Sequence, residues 1–427
     1  MTNDRRSRPS PIAPALSLAL ALAIGLAPAA ARAQQRTAAE DAARAEILGL
    51  KGDGLIAVPP WVQVLSGDSV GVGWMTAVAA DGVVEWTQEP GEAAESSWKR
   101  STSSRYGLVQ ANSTVQKAVL KGYDPTKPLR LRAVSRPITK FEPYKVEYGE
   151  PVASAEIRVS PLRRDDGSSS FVVFNDVHDR IQFYPLLTPL AGDGFEFIVL
   201  NGDILTDPMT EKQVVESLLL PMAWFASKGI PSFFLRGNHE TRGAMARRLH
   251  EYLVLPEDRY YAAMTFGPTR VLLLDTGEDK PDESPEYSGL VDFDAYMEEQ
   301  RDWLAAEVAS DAYKAAPWHV VVQHIPPDYR TPADKKWHGP IRVEKLFGPL
   351  FDAGKVDLVV AAHNHRAEVI PPHPDPSKGF QYHVFVGDAH PLARATVQRV
   401  DASPTTLRVR RFHSDGGVGA EHSWEKP

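Results

Sequence analysis

Cysteine is absent from this chain of 427 residues. Its absence excludes disulfides, zinc–thiolate sites, iron–sulfur clusters, a cysteine nucleophile and a cysteine-linked lipid anchor. Excess positive charge is missing as well. The formal net charge is −8, and residues 1–33 hold four arginines against one aspartate, so the remainder carries about −11. A surface of that sign does not suit a protein that coats nucleic acid, and no nucleic-acid partner is expected. Internal repeats are also lacking.

What is present first is a targeting pattern. Arg5, Arg6 and Arg8 form a basic stretch, an Ala/Leu-rich run from Ile12 to Ala31 follows, and Ala31-Arg32-Ala33 fits a small-x-small cleavage site. The run is just long enough to span a bilayer. Pro14 and Pro28 interrupt it, however, and the cleavage site comes directly after. The expectation is a cleaved signal peptide over residues 1–33, with a mature chain that begins at Gln34, is periplasmic or secreted, and keeps no membrane anchor. Arg5-Arg6 is a poor match to a twin-arginine signal.

The remaining composition is that of a globular protein, 43% hydrophobic and 24% charged. Residues 34–55 read as a polar helical segment ended by Gly52 and Gly54. From 56 to 160 short alternating stretches such as "WVQVLSGDSVGVGWMTA" and "PLRLRAVS" are separated by Gly, Asp and Pro, the pattern of a small antiparallel sandwich with Trp74 and Trp86 in its core. Within it "GDSVG" (67–71) matches G-x-S-x-G, but it runs into alternating residues rather than a helix, so it reads as a hairpin. Over 165–413 the pattern becomes apolar runs of four to six residues, each followed by polar residues, with helical stretches near 208–228, 294–309 and 341–353. Such runs are strands buried on both faces of a layered α/β domain. Residues 414–427 are left as a tail.

The polar residues collect where these strands end, and in layered α/β proteins that is where ligands bind. They are Asp176 and His178, Asn201 and Asp203, Asn238 and His239, His324, and His363 and His365. One Asp or His after a strand is ordinarily a turn residue. Five such strand ends in one domain make a shared site the simpler account. Carboxylate, amide oxygen and imidazole suit Zn, Fe, Mn or a similar divalent ion.

In order, "DVH" (176–178), "GDILTD" (202–207), "GNHE" (237–240), "QH" (323–324) and "HNH" (363–365) resemble the five motifs of the calcineurin-like metallophosphoesterases. The stretch 272–304 and the preceding β-rich region resemble the purple-acid-phosphatase branch, which often carries a fibronectin-III-like domain there. The resemblance implies an α/β fold: a layered metallophosphoesterase-type β-sandwich flanked by helices, preceded by a small all-β fibronectin-III-like sandwich. It also implies two divalent metal ions, Fe, Mn or Zn. Asp176, His178 and His365 would bind the first, and Asn238, His324 and His363 the second, with Asp203 bridging. His239 would protonate the leaving oxygen or hold the phosphate, and Glu240 would orient a neighbour. The implied activity is hydrolysis of phosphate monoesters by metal-activated water. A phosphodiesterase on the same site and a non-catalytic surface binding protein are the alternatives.

Two departures stand out. Where purple acid phosphatases have Gly and a metal-binding Tyr, this chain has His178 and Thr206, and Ala362 replaces the usual Gly of the last motif. Among other polar residues, Asp207 before Pro208 reads as a helix N-cap. His319 lies at odd spacing from His324 and faces helix packing, and His390 reads as structural. His250-Glu251 lacks the second His of a zincin motif. Arg330 and His338, in the long polar segment after His324, are the candidates for substrate contact. Residues 275–287 form a second loop suited to walling a pocket.

Overall fold

The computed structural model describes residues 36–91, 97–389 and 391–427. The expected signal peptide and His390 lie outside the described residues. After helix α1 (Ala38–Leu48) come β1 (Ile56–Ser66), β2 (Ser69–Thr87), β3 (Ala111–Val119) and β4 (Leu129–Glu142). Then follow β5 (Ser169–Phe174), β6 (Phe197–Asn201), a helical run α2 (211–227), β7 (Ser232–Leu235), β8 (Ala262–Phe266) and β9 (Thr269–Leu274). Next are α3 (Phe293–Val308), β10 (Trp318–Gln323), α4 (His338–Leu346), α5 (Gly348–Ala353) and β11 (Leu358–Ala361). The chain closes with β12 (Glu368–Ile370), β13 (His383–Val386), β14 (Thr396–Ala402), β15 (Thr406–His413) and β16 (Val418–Glu425).

Two sheets stack face to face. In the first, β5, β6 and β7 run parallel, with Phe171 opposite Phe197 and Ile198 opposite Ser232. In the second, β9, β10, β11 and β13 run parallel, with Val271 opposite Val320 and Val320 opposite Leu358. Successive side chains alternate between faces. Phe171, Val173, Phe197, Val199, Phe233 and Leu235 therefore point inward and share one core with Val271, Leu273, Val320, Val322, Leu358 and Val360. Their neighbours point outward. Val172, Ile198 and Phe234 meet Leu218, Met222 and Phe225 of α2, while Leu272, Val321 and Val359 meet Met297 and Leu304 of α3 and Val343 of α4. Burial on both faces is why these strands read as unbroken apolar runs. Within α2, Val215–Leu219 widens to a π turn just before Pro221, which lacks an N–H and whose ring would clash in a regular turn.

The β-rich N-terminal part continues the first sheet. β1 pairs in parallel with β7 at Gln63 and Ser232, and the order runs β4-β2-β1-β7-β6-β5-β14-β15-β16. Val62, Val64, Val70 and Val72 pack in the same core as Phe171 and Val271. The buried Gln63 side chain, its Oε1 accepting from Val254 N–H at 2.8 Å, ties β1 to the later chain. Thus the composition change near residue 160 is not a break in packing, and Ala38–Pro427 is one compact unit. Trp74 and Trp86 are buried, their indole N–H groups donating to Ser135 Oγ (2.8 Å) and Ser101 Oγ (3.0 Å). "GDSVG" holds the β1–β2 turn, with Ser66 opposite Ser69. Residues 414–427, expected as a tail, instead hold β16, paired along β15. Its alternating burial shows one face covered, a pairing that short polar residues do not announce.

Candidate metal centre

All strand ends singled out above emerge at one end of the paired sheets. The loops after β5, β6 and β7 carry Asp176 and His178, Asp203, and Asn238 to Glu240, and the ends of β10 and β11 carry His324, His363 and His365. The turns there are sharp. Asp176, His178, Asp203, Asp207, His363 and His365 all have φ between 45° and 70°, a left-handed conformation that residues with a Cβ rarely adopt. Both imidazoles of the last motif use it, so each leaves the strand direction in turn. Ala362 has no positive φ and donates its N–H to His324 O at 2.9 Å, so its methyl meets no backbone strain. Two glycines let the loops touch: a Cβ on Gly237 would fall 2.2 Å from Asp203 Oδ1, and one on Gly202, 2.7 Å from Gly237 Cα.

The side chains form two groups that share one carboxylate. Donor atoms of Asp176, His178, Asp203 and His365 all lie within 4.8 Å of one another, as do those of Asp203, His324 and His363. His178 Nε2 is 3.4 Å from His365 Nε2 and 3.7 Å from Asp203 Oδ2. His324 Nε2 stands 3.2 Å from Asp203 Oδ2 without hydrogen-bond alignment. Asn238 joins the second group through its Oδ1, 3.0 Å from His363 Nδ1. Asp176 Oδ1, His324 Nε2 and His363 Nε2 are buried and have no hydrogen-bond partner among the described residues. Buried polar atoms are ordinarily paired, so converging bare donors of this chemistry fit divalent ions.

Burial and charge set the protonation of the ring groups. Burial, with Asp203 working against it, pushes His178 down to about 3, and burial with His324 nearby pushes His363 down to about 4, leaving both as neutral imidazoles with a lone pair to offer. Burial opposes charge on His324 too, but the Asp203 and Asp176 carboxylates hold it up at about 10. Glu240, fully buried, is raised to about 7 by desolvation and by Asp203. Its carboxyl accepts three backbone N–H groups, from Asp203 (2.8 Å), Leu205 (2.8 Å) and Gly237 (2.7 Å). It thereby braces the second and third motifs against each other. Asn201 links the sheets, its Nδ2 donating to Gln323 O at 2.9 Å.

Residues 169–367, the span that carries this geometry, match the calcineurin-like phosphoesterase family. They are a calcineurin-like phosphoesterase domain. The chemistry of that domain is metal-dependent phosphoester hydrolysis. No curated protein matches the chain in sequence. Among the solved structures that match the chain, two align over most of its length. A purple acid phosphatase, PPD1, from yellow lupin (Lupinus luteus) seeds aligns with a TM-score of 0.63 at 14% identity, over 86% of this chain and 74% of that one. PhoD aligns with a TM-score of 0.57 at 13% identity, over 88% of this chain and 91% of that one.

The phosphoesterase domain places the other candidates unevenly. His239 Nε2 is 3.9 Å from Asp203 Oδ2, and its Nδ1 meets Asp207 Oδ1 at 2.9 Å. Asp207 is therefore not the helix cap expected. The helix begins at Glu211, where Thr210 Oγ1 accepts from Gln213 N–H at 3.2 Å, and the left-handed turn at Asp207 aims its carboxylate at His239. Arg330 lines a cleft of about 630 Å³ that opens on His363 and His365, but its guanidinium is held by Asp328 (2.8 Å) and Glu368 (2.9 Å). His338 does not reach that cleft. It opens α4 and turns to a separate recess beside Asp279 and Lys280, its Nε2 being 3.7 Å from Asp294 Oδ1. His319 stacks on Tyr313, with ring centroids 4.0 Å apart, against the short helix Asp311–Ala315. Residues 275–287 are anchored: Glu278 accepts from Thr241 Oγ1 at 2.6 Å and from Arg242 Nε at 2.9 Å, beside the third motif.

Trp337, Lys335 and Arg366 line the cleft and were not singled out from sequence. Arg366 directly follows the last motif, a signal available in sequence; for Trp337 only its place in the long polar segment pointed that way. A larger cleft, about 900 Å³, lies at the opposite, N-terminal ends of β5 to β7, between Arg163, Asp193, Trp224 and Lys228. It holds none of the metal-centre residues.

Proposed function

We propose that the protein is an exported phosphatase that hydrolyses phosphate monoesters at a pair of divalent metal ions. The observation that carries this reading is the meeting of two donor clusters at Asp203, with bare buried donor atoms in both. Asp176, His178 and His365 would hold one ion, and Asn238, His324 and His363 the other, with Asp203 reaching both. Bound there, the ions supply Lewis-acid charge for the phosphoryl oxygens and lower the pKa of an attacking water. Donor chemistry favours Fe, Mn or Zn.

The chain's own groups do the rest. Glu240 holds Asp203 and the Gly237 turn in place through their backbone N–H groups. Asp207 fixes the His239 ring by accepting from Nδ1, which leaves Nε2 facing the centre. From there His239 can deliver a proton to the leaving oxygen as the P–O bond breaks. Water contributes its oxygen to phosphorus, and the products are an alcohol and inorganic phosphate.

The test joins elemental analysis of the purified protein to turnover of p-nitrophenyl phosphate and its bis-ester. About two metal ions per chain and faster monoester turnover are expected. Dominant bis-ester turnover would make the protein a diesterase instead. Fewer than one ion per chain, with no activity after metal reconstitution, would leave a binding protein. Export is checked by the mass of the mature chain, which should begin at Gln34; retention of residues 1–33 would overturn it. No helix among the described residues is long and apolar enough to cross a membrane.

A further inference from the structure

We infer that the loop 275–279 is the frame of the second metal position, and that Arg236–Asp275 and Arg242–Glu278 are positioning pairs that clamp the third motif at both ends. This rests on the phosphoesterase reading above and goes beyond it, since none of the four residues is a metal ligand in that reading.

The clamp begins in the spacing of the residues. Arg236 and Arg242 stand directly before and after residues 237–241, while Asp275 and Glu278 share one loop after β9. Arg236 donates its Nε to Asp275 Oδ2 at 2.7 Å, and its guanidinium lies 4.0 Å from the Tyr260 ring centre. Arg242 grips Glu278 with a fork, Nε to Oε1 and Nη2 to Oε2, both at 2.9 Å. Such a fork fixes direction as well as distance. Asp275 and Glu278 are both fully buried. A buried ion pair is seldom the most stable filling for a core, because apolar residues of the same volume often do as well or better. Two such pairs that join one loop to the two ends of one motif are better explained by aim than by stability.

The loop reaches each donor of the second ion. Thr241 Oγ1 lies 2.6 Å from Glu278 Oε1 and 2.8 Å from Asn238 O, so one hydroxyl ties Glu278 to the backbone of Asn238. Thr276 Oγ1 accepts from the N–H of Ile325, the residue after His324, at 3.1 Å. Asp279 O accepts from Gly339 N–H at 3.1 Å and Glu278 O from Arg342 Nη2 at 2.6 Å, which fastens α4. Trp337, directly before α4, meets the His363 ring edge-on with centroids 5.7 Å apart. Among the described residues, no hydrogen bond or ion pair joins the loop to Asp176, His178 or His365. The frame therefore serves one ion of the two.

The test uses the full mature chain. Zn²⁺ is titrated calorimetrically into the metal-free protein, and p-nitrophenyl phosphate turnover is followed at saturating Zn²⁺. The native protein should bind two ions in separable events, and Asn238→Ala marks the event that belongs to the second. Arg242→Lys keeps the charge but loses the fork. It should weaken that same event about 10–100-fold, spare the other, and lower kcat about tenfold with KM nearly unchanged. Arg242→Met/Glu278→Gln removes both charges and leaves an acceptor for the Tyr287 hydroxyl, so it should melt close to the native protein and still show both losses. A pair that only stabilised the fold would give native zinc binding and native kcat in that double variant. That result, or equal weakening of both binding events, overturns the frame and leaves the phosphoesterase reading intact. Zinc binding that depends on the pair in a protein that hydrolyses no ester would uphold the frame and overturn that reading.

Discussion

Left-handed backbone occurs in two regions of this molecule and serves two ends. In the β-rich N-terminal part it falls at Tyr106 and Tyr144, where the chain turns back, and at Asn112 within β3, all exposed. In the phosphoesterase domain it falls at Asp179, Glu257, Asp258, Ser288 and Lys355 and, clustered at the metal centre, at Asp176, His178, Asp203, Asp207, His363 and His365, where the side chains are the chemistry. Such conformations cost roughly 1–2 kcal/mol per residue with a Cβ. At a hairpin tip glycine would do the same work more cheaply. At the strand ends the residue cannot be exchanged, because the turn exists to aim its carboxylate or imidazole. Strain that persists where a cheaper residue would serve marks geometry; strain on a converging donor marks a site.

The largest test of this contrast is Asp203→Asn, which keeps the shape and the acceptor for His239 N–H but removes the shared charge. Turnover should fall by roughly 10²–10³-fold or more, with metal content reduced and the melting temperature nearly kept. Full activity in this variant would remove Asp203 from the centre. Next is Asp207→Ala, which frees His239 Nδ1. We expect kcat to drop by about 10–100-fold with metal content unchanged, the signature of a lost proton donor rather than a lost ligand. A fall in metal content instead would mean that Asp207 shapes the loop.

A smaller effect concerns an imidazole outside the site. Burial, with His422 beside it at a ring distance of 4.1 Å, pushes His383 down to about 4. The unfolded chain then binds the proton more readily, so stability is complete above pH about 6.5 and is lost as pH falls toward 4. His383→Gln should flatten denaturant midpoints across that window; an unchanged slope would show the ring is not desolvated. The smallest effects are conformational. Tyr144→Gly should stabilise by about 0.5–1 kcal/mol without touching turnover. Ala362→Gly should do the reverse, losing about 0.4–1 kcal/mol with metal content unchanged, since Ala362 carries no left-handed strain to relieve. A gain in metal occupancy would show that its methyl crowds the clasp.

Much of the domain was readable without coordinates. Apolar runs ending in Asp, Asn and His marked strands buried on two faces, and the order of the five motifs marked which residues converge. Asp207 was misread because a carboxylate before Pro208 satisfies the local rule for a helix cap, and its actual partner lies 32 residues away. Arg330 was a candidate for substrate contact, but its guanidinium is held by Asp328, two residues before it, and by Glu368, 38 residues on. His338 and Trp337 are adjacent and both line the recess beside Asp279, yet only Trp337 also reaches the cleft beside His363. Local pattern does not carry that choice.

The sequence by itself determined the donor types, their order and the two-residue periodicity that places them at strand ends, since these follow from the chemistry of single residues and the geometry of an extended chain. Only the tertiary structure decided which edge β1 would join, which cations would be neutralised and which would stay open, and that Asp207 would meet His239. Those outcomes depend on contacts between segments far apart in the chain, whose energies are set by packing and mutual burial rather than by any one stretch of residues.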